Sequence, residues 1–314
     1  MKGTASGIGN VTFNGNTSQS VSSSYKLGDA SNRLGMITVS NPVNTVTFNN
    51  DVYVSTINLN QSSATQEINI ASTKSLNVSG NIISTQPSVI SGSGTVTLSG
   101  NQTQTIDNSF GSGTGDRLGA LTINNTSEVV LNANSHVTNL NLSNGILTLA
   151  KNITLDVSNS VDLSGETFKS RAGDNSIPFS KIVSGNQITL NPATIVDFDY
   201  SESSADFVYD GTTEYVVAQS TSGVTGAISN VIVLDNSYLF SNSLAISGNN
   251  LVTTIAADNS VLNSTNLGKA NYEIISNALN YSGLGTKFVN ITSASALSDT
   301  INSLKPMNNS AQTS

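Results

Sequence analysis

The sequence predicts an all-β fold made of many short strands, and three observations carry that prediction. Apolar residues alternate with Thr, Asn or Ser along most of the chain. Turn residues recur at intervals of about 8 to 12. A unit of roughly 85 residues occurs twice, the kind of long period that marks repeat architectures.

The alternation is explicit. Val11/Phe13, Ile37/Val39, Val46/Phe48, Ile57/Leu59, Ile68/Ile70, Leu76/Val78, Val96/Leu98, Leu147/Leu149 and Ile153/Leu155/Val157 are apolar at i and i+2. Period two sends successive side chains to opposite faces of a strand, so each run has one face to bury. Ten-residue amphipathic helices do not fit between most of these runs, which excludes a βαβ arrangement over 1–170.

The duplication is read from matched segments. Gly9-Asn10-Val11-Thr12-Phe13-Asn14-Gly15-Asn16 matches Gly94-Thr95-Val96-Thr97-Leu98-Ser99-Gly100-Asn101 at an offset of 85 residues. Arg33-Leu34-Gly35-Met36-Ile37-Thr38-Val39 matches Arg117-Leu118-Gly119-Ala120-Leu121-Thr122-Ile123 at 84, and Val54–Leu59 matches Val137–Leu142 at 83. One-residue gaps at loops preserve the phase of the strands. A β-sandwich has no reason to repeat at this period. A stack of strands does, with the unit making about four turns of roughly 20 to 25 residues each. Asn14, Asn49, Asn60, Asn124, Asn132 and Asn141 at turn positions suit stacked side-chain ladders. The expected fold is a right-handed parallel β-helix, a solenoid, with a C-terminal capping region containing short helices.

Boundaries follow from texture: duplicated coils over 1–170, final coils and hairpins with longer, more aromatic strands over 171–260, short helices over 261–306 and a polar linker over 307–314. Tyr272, Ile275 and Leu279 fall at i, i+3 and i+7 before Gly283, and Leu297, Ile301 and Leu304 at i, i+4 and i+7 before Pro306.

Composition narrows the function. Of 314 residues, 37% are hydrophobic, 10% charged and 5 are Pro, enough apolar surface for a thin aliphatic core and too few charges for a disordered chain. The net charge is −8, and the basic residues Lys26, Arg33, Lys74, Arg117, Lys151, Lys169, Arg171 and Lys181 are scattered. Nucleic acid and anionic membrane surfaces, which need clustered cations, are not expected as partners. Cys is 0, so no disulfide framework is present; this suits either cytosol or export as an unfolded thread. Met1 and Lys2 run into Gly-Thr-Ala-Ser-Gly with no apolar stretch, so no signal peptide is expected here, and no run approaches the ~18 apolar residues of a span. Direct membrane insertion of this segment is therefore not expected.

The Gly-x-Val-Thr-(Leu/Phe)-x-Gly-Asn openings, the Arg-Leu-Gly-x-(Ile/Leu)-Thr-(Val/Ile) segments and the Asn/Thr richness resemble passengers of the rickettsial surface cell antigen autotransporters, of the outer membrane protein A/B type. Leu297–Pro306 resembles the stretch just before such a protein's translocator barrel. The resemblance implies a β-helical passenger exported through its own translocator β-barrel, displayed on the extracellular face of the outer membrane or released from it, and adhering to a host-cell surface protein. It implies no enzyme activity and no cofactor. A β-helical glycan-active enzyme and a structural surface-coat protein are the alternatives.

Site candidates are few. His136 is the only His and its counterpart in the first copy is Tyr53, which argues against catalysis; without Cys or a second His, a zinc site of the usual ligands is excluded. Asp197, Asp199, Glu202, Asp206 and Asp210 form the one acidic group, with Asp197 and Asp199 on one strand face. It reads as a solvated face, with calcium binding or a polysaccharide-active carboxylate pair as the sharper readings. No basic residue lies between Lys181 and Lys269, so any cationic partner must come from elsewhere in the fold. Gly111-Ser112-Gly113-Thr114-Gly115 lacks the Lys and helix of a phosphate loop and reads as a flexible loop. Because the copies differ in length there, Gly111, Ser112, Gly113 and Thr114, with Tyr25 and Lys26 of the other copy, are the expected partner-contact positions.

Overall fold

A computed structural model describes residues 8–29, 31–40, 45–59, 67–70, 74, 76–78, 82–84, 93–100, 103–106, 109–111, 113–115, 117–143, 145–258, 288 and 290–304. Strands dominate, and almost all pair in parallel. One sheet takes β1 (Asn10–Phe13), β3 (Leu34–Val39), β5 (Val52–Leu59) and β7 (Leu76–Val78) in that order, with β8 (Ile82–Ser84) also on β5. The intervening strands β2 (Gln19–Val21), β4 (Thr45–Phe48) and β6 (Glu67–Ile70) begin an 11-stranded sheet. That sheet continues through β9 (Ser93–Gly100), β11 (Leu118–Asn125), β13 (Ser135–Leu142), β15 (Thr154–Val157), β18 (Lys181–Ser184) and β21 (Tyr215–Ser220). A third sheet holds β10 (Gln104–Ile106), β12 (Glu128–Leu131), β14 (Ile146–Leu149), β17 (Thr167–Arg171), β20 (Ile195–Asp199) and β23 (Ile232–Asp235). Three two-residue strands, β16 (Val161–Asp162), β19 (Ile188–Thr189) and β22 (Val224–Thr225), form a fourth.

The chain thus visits its sheets in rotation, and most strands hydrogen-bond to one a full pass later. Period two explains the result. In the column Val129, Leu147, Phe168, Val196 every cross-strand neighbour points inward and is buried. Like residues stack on like, so one hydrophobic core runs through the described strands. The pass length varies, from Glu128↔Ile146 to Ile195↔Ile232, because loops absorb the difference while strand register is kept.

The duplicated copies do not superpose sheet on sheet. β1 lies in the first sheet but its match β9 lies in the 11-stranded one, and β2 lies in the 11-stranded sheet but its match β10 in the third. Both β7 and β8 pair with β5, so the first copy's eight strands make an odd number of sides and the next strand falls on the other face. The repeat therefore does not close after a whole number of passes, as its length suggests.

Polar ladders follow the same stacking. Asn159 Nδ2 donates to Asn139 Oδ1 at 2.8 Å, and Asn139 Nδ2 to the Gly119 carbonyl at 3.1 Å. Of the expected Asn positions, Asn49 Nδ2 donates to Ser20 Oγ and Asn141 Nδ2 to Thr122 Oγ1, each across one pass; Asn60 lies outside the described residues.

Near the C-terminal end the pairing reverses. β25 (Asn250–Ala257) runs antiparallel to β21, and β24 (Phe240–Ser247) antiparallel to β25. The core widens there around Phe179, Phe198, Tyr200, Phe207 and Tyr215, whose rings meet mostly edge to face. Helix α1 (Ala294–Leu304) starts at Ser293, whose Oγ accepts from the Ala296 N–H, and buries Leu297 and Ile301, one turn apart, in the common core. Phe288 and Ile291 are buried with them, and the Ile291 carbonyl accepts from the Tyr238 N–H. Tyr272, Ile275 and Leu279 lie outside the described residues, as does the segment 307–314.

Candidate binding surface

The outward faces carry the charged chemistry. On the third sheet, β17 presents Lys169 and Arg171 directly opposite Asp197 and Asp199 of β20. Lys169 Nζ stands 3.3 Å from Asp197 Oδ2. Arg171 Nε stands 3.3 Å from Asp199 Oδ2, close enough for charge attraction but not aligned for a hydrogen bond. These are the cationic partners that the acidic strand lacks nearby in sequence. Lys-Ser-Arg and Asp-Phe-Asp are complementary alternating triplets, and that match was the available signal.

Asp199 is nearly buried. Burial works to raise its carboxyl, but the Ser201 N–H and hydroxyl, the Asn236 amide at 2.7 Å and the Arg171 charge together hold it below the ordinary carboxylate value. The rest of the acidic group disperses into turns. Asp210 caps its own turn, accepting from the N–H groups of Thr213 and Thr212 at 2.7 Å each, and is held well below the usual range by them. Asp235 goes the other way: burial raises it, against hydrogen bonds from Ser237 and Asn242 and with repulsion from Asp197 and Asp258. Among the described residues no three His, Asp or Glu side chains are grouped to hold a metal.

A second ladder crosses the 11-stranded sheet. Arg117 Nη2 donates to Asp156 Oδ2 at 2.8 Å while Nη1 donates to the carbonyls of Val137 and Asp156. His136 Nδ1 lies 3.2 Å from the same Asp156 oxygen. One guanidinium thereby ties three successive strands. Asp156 was not singled out in sequence; its register place opposite His136 is what reveals it.

The expected loop positions are only partly alike. Tyr25 is 67% exposed and Lys26 is exposed, both just before Leu27, which is buried and whose carbonyl accepts from the Tyr53 N–H. In the second copy buried Phe110 plays Leu27's part, its carbonyl accepting from the His136 N–H, and the exposed Thr114 and half-buried Gly113 follow that anchor. The two patches therefore sit on opposite sides of equivalent anchors along the chain. Gly111 is buried with φ +68°, and Ser112 lies outside the described residues. A Cβ at Gly113 would meet open space.

Sequence reasoning missed two surface features. A cleft of about 250 Å³ opens between Ile177, Pro178 and Phe179 on one side and Glu214, Tyr215 and Val216 on the other, with Lys181 at its edge. Ile232 and Leu234, each 47% exposed, face outward from β23. No protein-family model matches the chain, and no curated protein matches it.

Proposed function

We propose that the chain is a right-handed parallel β-helix that serves as a displayed, non-catalytic binding scaffold. We assign it to the passenger of an autotransporter of the rickettsial surface cell antigen kind, working as an adhesin for a host-cell surface protein. The observation that carries the reading is the in-register parallel stacking of strands one pass apart, which recurs in all four sheets. Such a stack supplies long, rigid outer faces on which loops can present contacts. The antiparallel hairpin β24–β25 and helix α1 are the capping region of this reading, and the translocator barrel is the module it attaches to.

The paired ladders bear on the glycan-active alternative. A general acid or base needs a carboxylate free to exchange its proton. Lys169–Asp197 and Arg171–Asp199 instead match one cation to each acid, an arrangement suited to holding two strands together.

The test is binding of the purified, labelled chain to cultured host cells. Saturable binding competed by unlabelled chain is the expected result; non-saturable or absent binding overturns the adhesin reading. Polysaccharide depolymerisation assays, with and without calcium, are expected to give no product. Activity lost in Asp197→Ala or Asp199→Ala would promote the enzyme.

A further inference from the structure

The outer surface parts where two neighbouring strands separate. β18 and β21 run side by side from Ile182↔Ala218 onward. Before that point Tyr215 and Val216 pair with Thr253 and Val252 of β25, and the register breaks between Val216 and Ala218. The start of β21 therefore follows β25, and the cleft of about 250 Å³ opens between it and the segment that leads into β18. Every residue lining this cleft lies within the described chain.

Both walls are held in place by bonds of their own. Asp174 Oδ1 accepts from the Ser176 and Ile177 N–H groups at 2.8 and 3.2 Å, and the Gly173 N–H donates to the Pro178 carbonyl at 2.8 Å. Phe179 is locked among the aromatic rings by edge-to-face contacts with Phe198 and Tyr200. On the opposite wall the Tyr215 hydroxyl accepts from the Val208 N–H at 2.6 Å, which fixes that ring. Walls that need no ordering on binding leave more of the contact energy as affinity.

The chemistry of the cleft is divided. Ile177, Pro178, Phe179 and Val216 give it an apolar lining, and beside them stand the half-buried Lys181 and the exposed Glu214. Elsewhere on the outer faces a cation is matched to each of three carboxylates: Lys169 to Asp197, Arg171 to Asp199 and Arg117 to Asp156. Lys181 and Glu214 are in no ion pair among the described residues, with each other or with any third group. A small apolar cleft is thus flanked by one unmatched charge of each sign.

A ligand complementary to all three features carries an anion, a cation and a short apolar body. A free α-amino acid has them on one carbon. Its two charged groups, each reaching a side chain through a hydrogen bond of about 2.8 Å, bridge a gap too wide for a direct ion pair. The volume lies just below the range of pockets for drug-sized ligands and suits one residue. The geometry points to a binding site for a free α-amino acid with an apolar side chain. Lys181 holds its carboxylate, Glu214 its ammonium, and the apolar lining its side chain. The site stands independently of the adhesin reading.

Saturation-transfer NMR of the full chain with L-leucine, followed by titration, tests this. Transfer to the leucine methyl groups is expected, with a Kd of about 1 mM for a ligand this small. N-acetyl-leucine lacks the cation and leucinamide lacks the anion, and each is expected to bind at least about fivefold more weakly. Lys181→Gln is expected to remove the preference for leucine over leucinamide and to keep that over N-acetyl-leucine; Glu214→Gln is expected to do the reverse. Neither side chain is buried or ion-paired, so the far-UV circular dichroism of both variants should match the parent. Absence of saturation transfer at about ten times the expected Kd overturns the inference. N-acetyl-leucinamide binding as tightly as leucine also overturns it, because the cleft would then accept an apolar side chain without reading either charge. So do variants in which both preferences survive, or in which both fall together.

Discussion

The two copies of the duplicated unit are matched in sequence but not in circumstance, and the differences in burial at Val11/Val96, Phe13/Leu98 and Gln19/Gln104 trace to what lies on the side of the preceding pass. The second copy is covered there by β6 and β7; the first begins the described stack. Residues of the same type at the same place in the repeat are consequently buried and partnered in one copy, and half-buried or unpartnered in the other. Their contribution to stability is set by neighbours in the stack and not by the local strand, as expected for quasi-one-dimensional repeats.

The largest expected effect comes from the valine pair. Val96→Ala empties a site that is 0% exposed, and losing two carbons plus the cavity should cost about 2 kcal/mol. Val11→Ala, at a partly buried site, should cost less than about half of that. Urea unfolding measures both. Equal costs would show that Val11 is covered in solution as fully as Val96.

The glutamine pair gives the next effect. Gln104→Leu leaves Asn125 Nδ2 and the Lys74 carbonyl without their partner in a buried site, at a cost of about 1 to 3 kcal/mol. Gln19→Leu removes an oxygen that is already unpaired, and should be neutral or slightly stabilising. The sign difference between two identical substitutions is the measurement to make. A loss at Gln19 comparable to that at Gln104 would mean that its amide is satisfied in solution.

Much of the architecture was legible because it rests on local pattern. Val46/Phe48, Val96/Leu98 and Leu147/Leu149 are each buried as their alternation requires, and Leu297 and Ile301 are buried at helical spacing. What could not be read was which strand meets which. The exchange of sheets between β1 and β9 depends on β7 and β8 sharing one side of the stack, and two runs around a corner look no different in sequence from two separate sides. The candidate surface suffered from the same gap. Lys169 and Arg171 reach Asp197 and Asp199, and Arg117 reaches Asp156, only through register, which depends on loop lengths between strands. Gly111 illustrates the opposite error: a glycine-rich stretch reads as a protruding loop, yet Gly111 is buried beside the Phe110 anchor.

The smallest effect expected, and the most specific, comes from the equivalent arginines. Arg33 lies over the Tyr53 ring at 5.7 Å, while its equivalent Arg117 donates to Asp156, the carboxylate that also meets His136, the counterpart of Tyr53. Asn77 holds the register position in the first copy that Asp156 holds in the second, so the first copy has no carboxylate there to extend the ladder. A cation over a partly exposed ring contributes about 0.5 to 1 kcal/mol, and a charge-assisted hydrogen bond about 1.5 to 3. Arg117 and Asp156 side chains are 12% and 19% exposed, so solvent screens them only in part. Arg117→Ala should therefore lower the unfolding free energy by about 1 to 2 kcal/mol, and Arg33→Ala by less than about 1. A double-mutant cycle with Asp156→Asn separates the ion pair from the packing of the arginine stem. Coupling should be found between Arg117 and Asp156, shrinking as salt is raised, while the Arg33 effect should change little. If Arg117→Ala and Asp156→Asn prove additive, the carboxylate adds nothing to the strap, and the arginines of the two copies do the same work through their backbone and ring contacts alone.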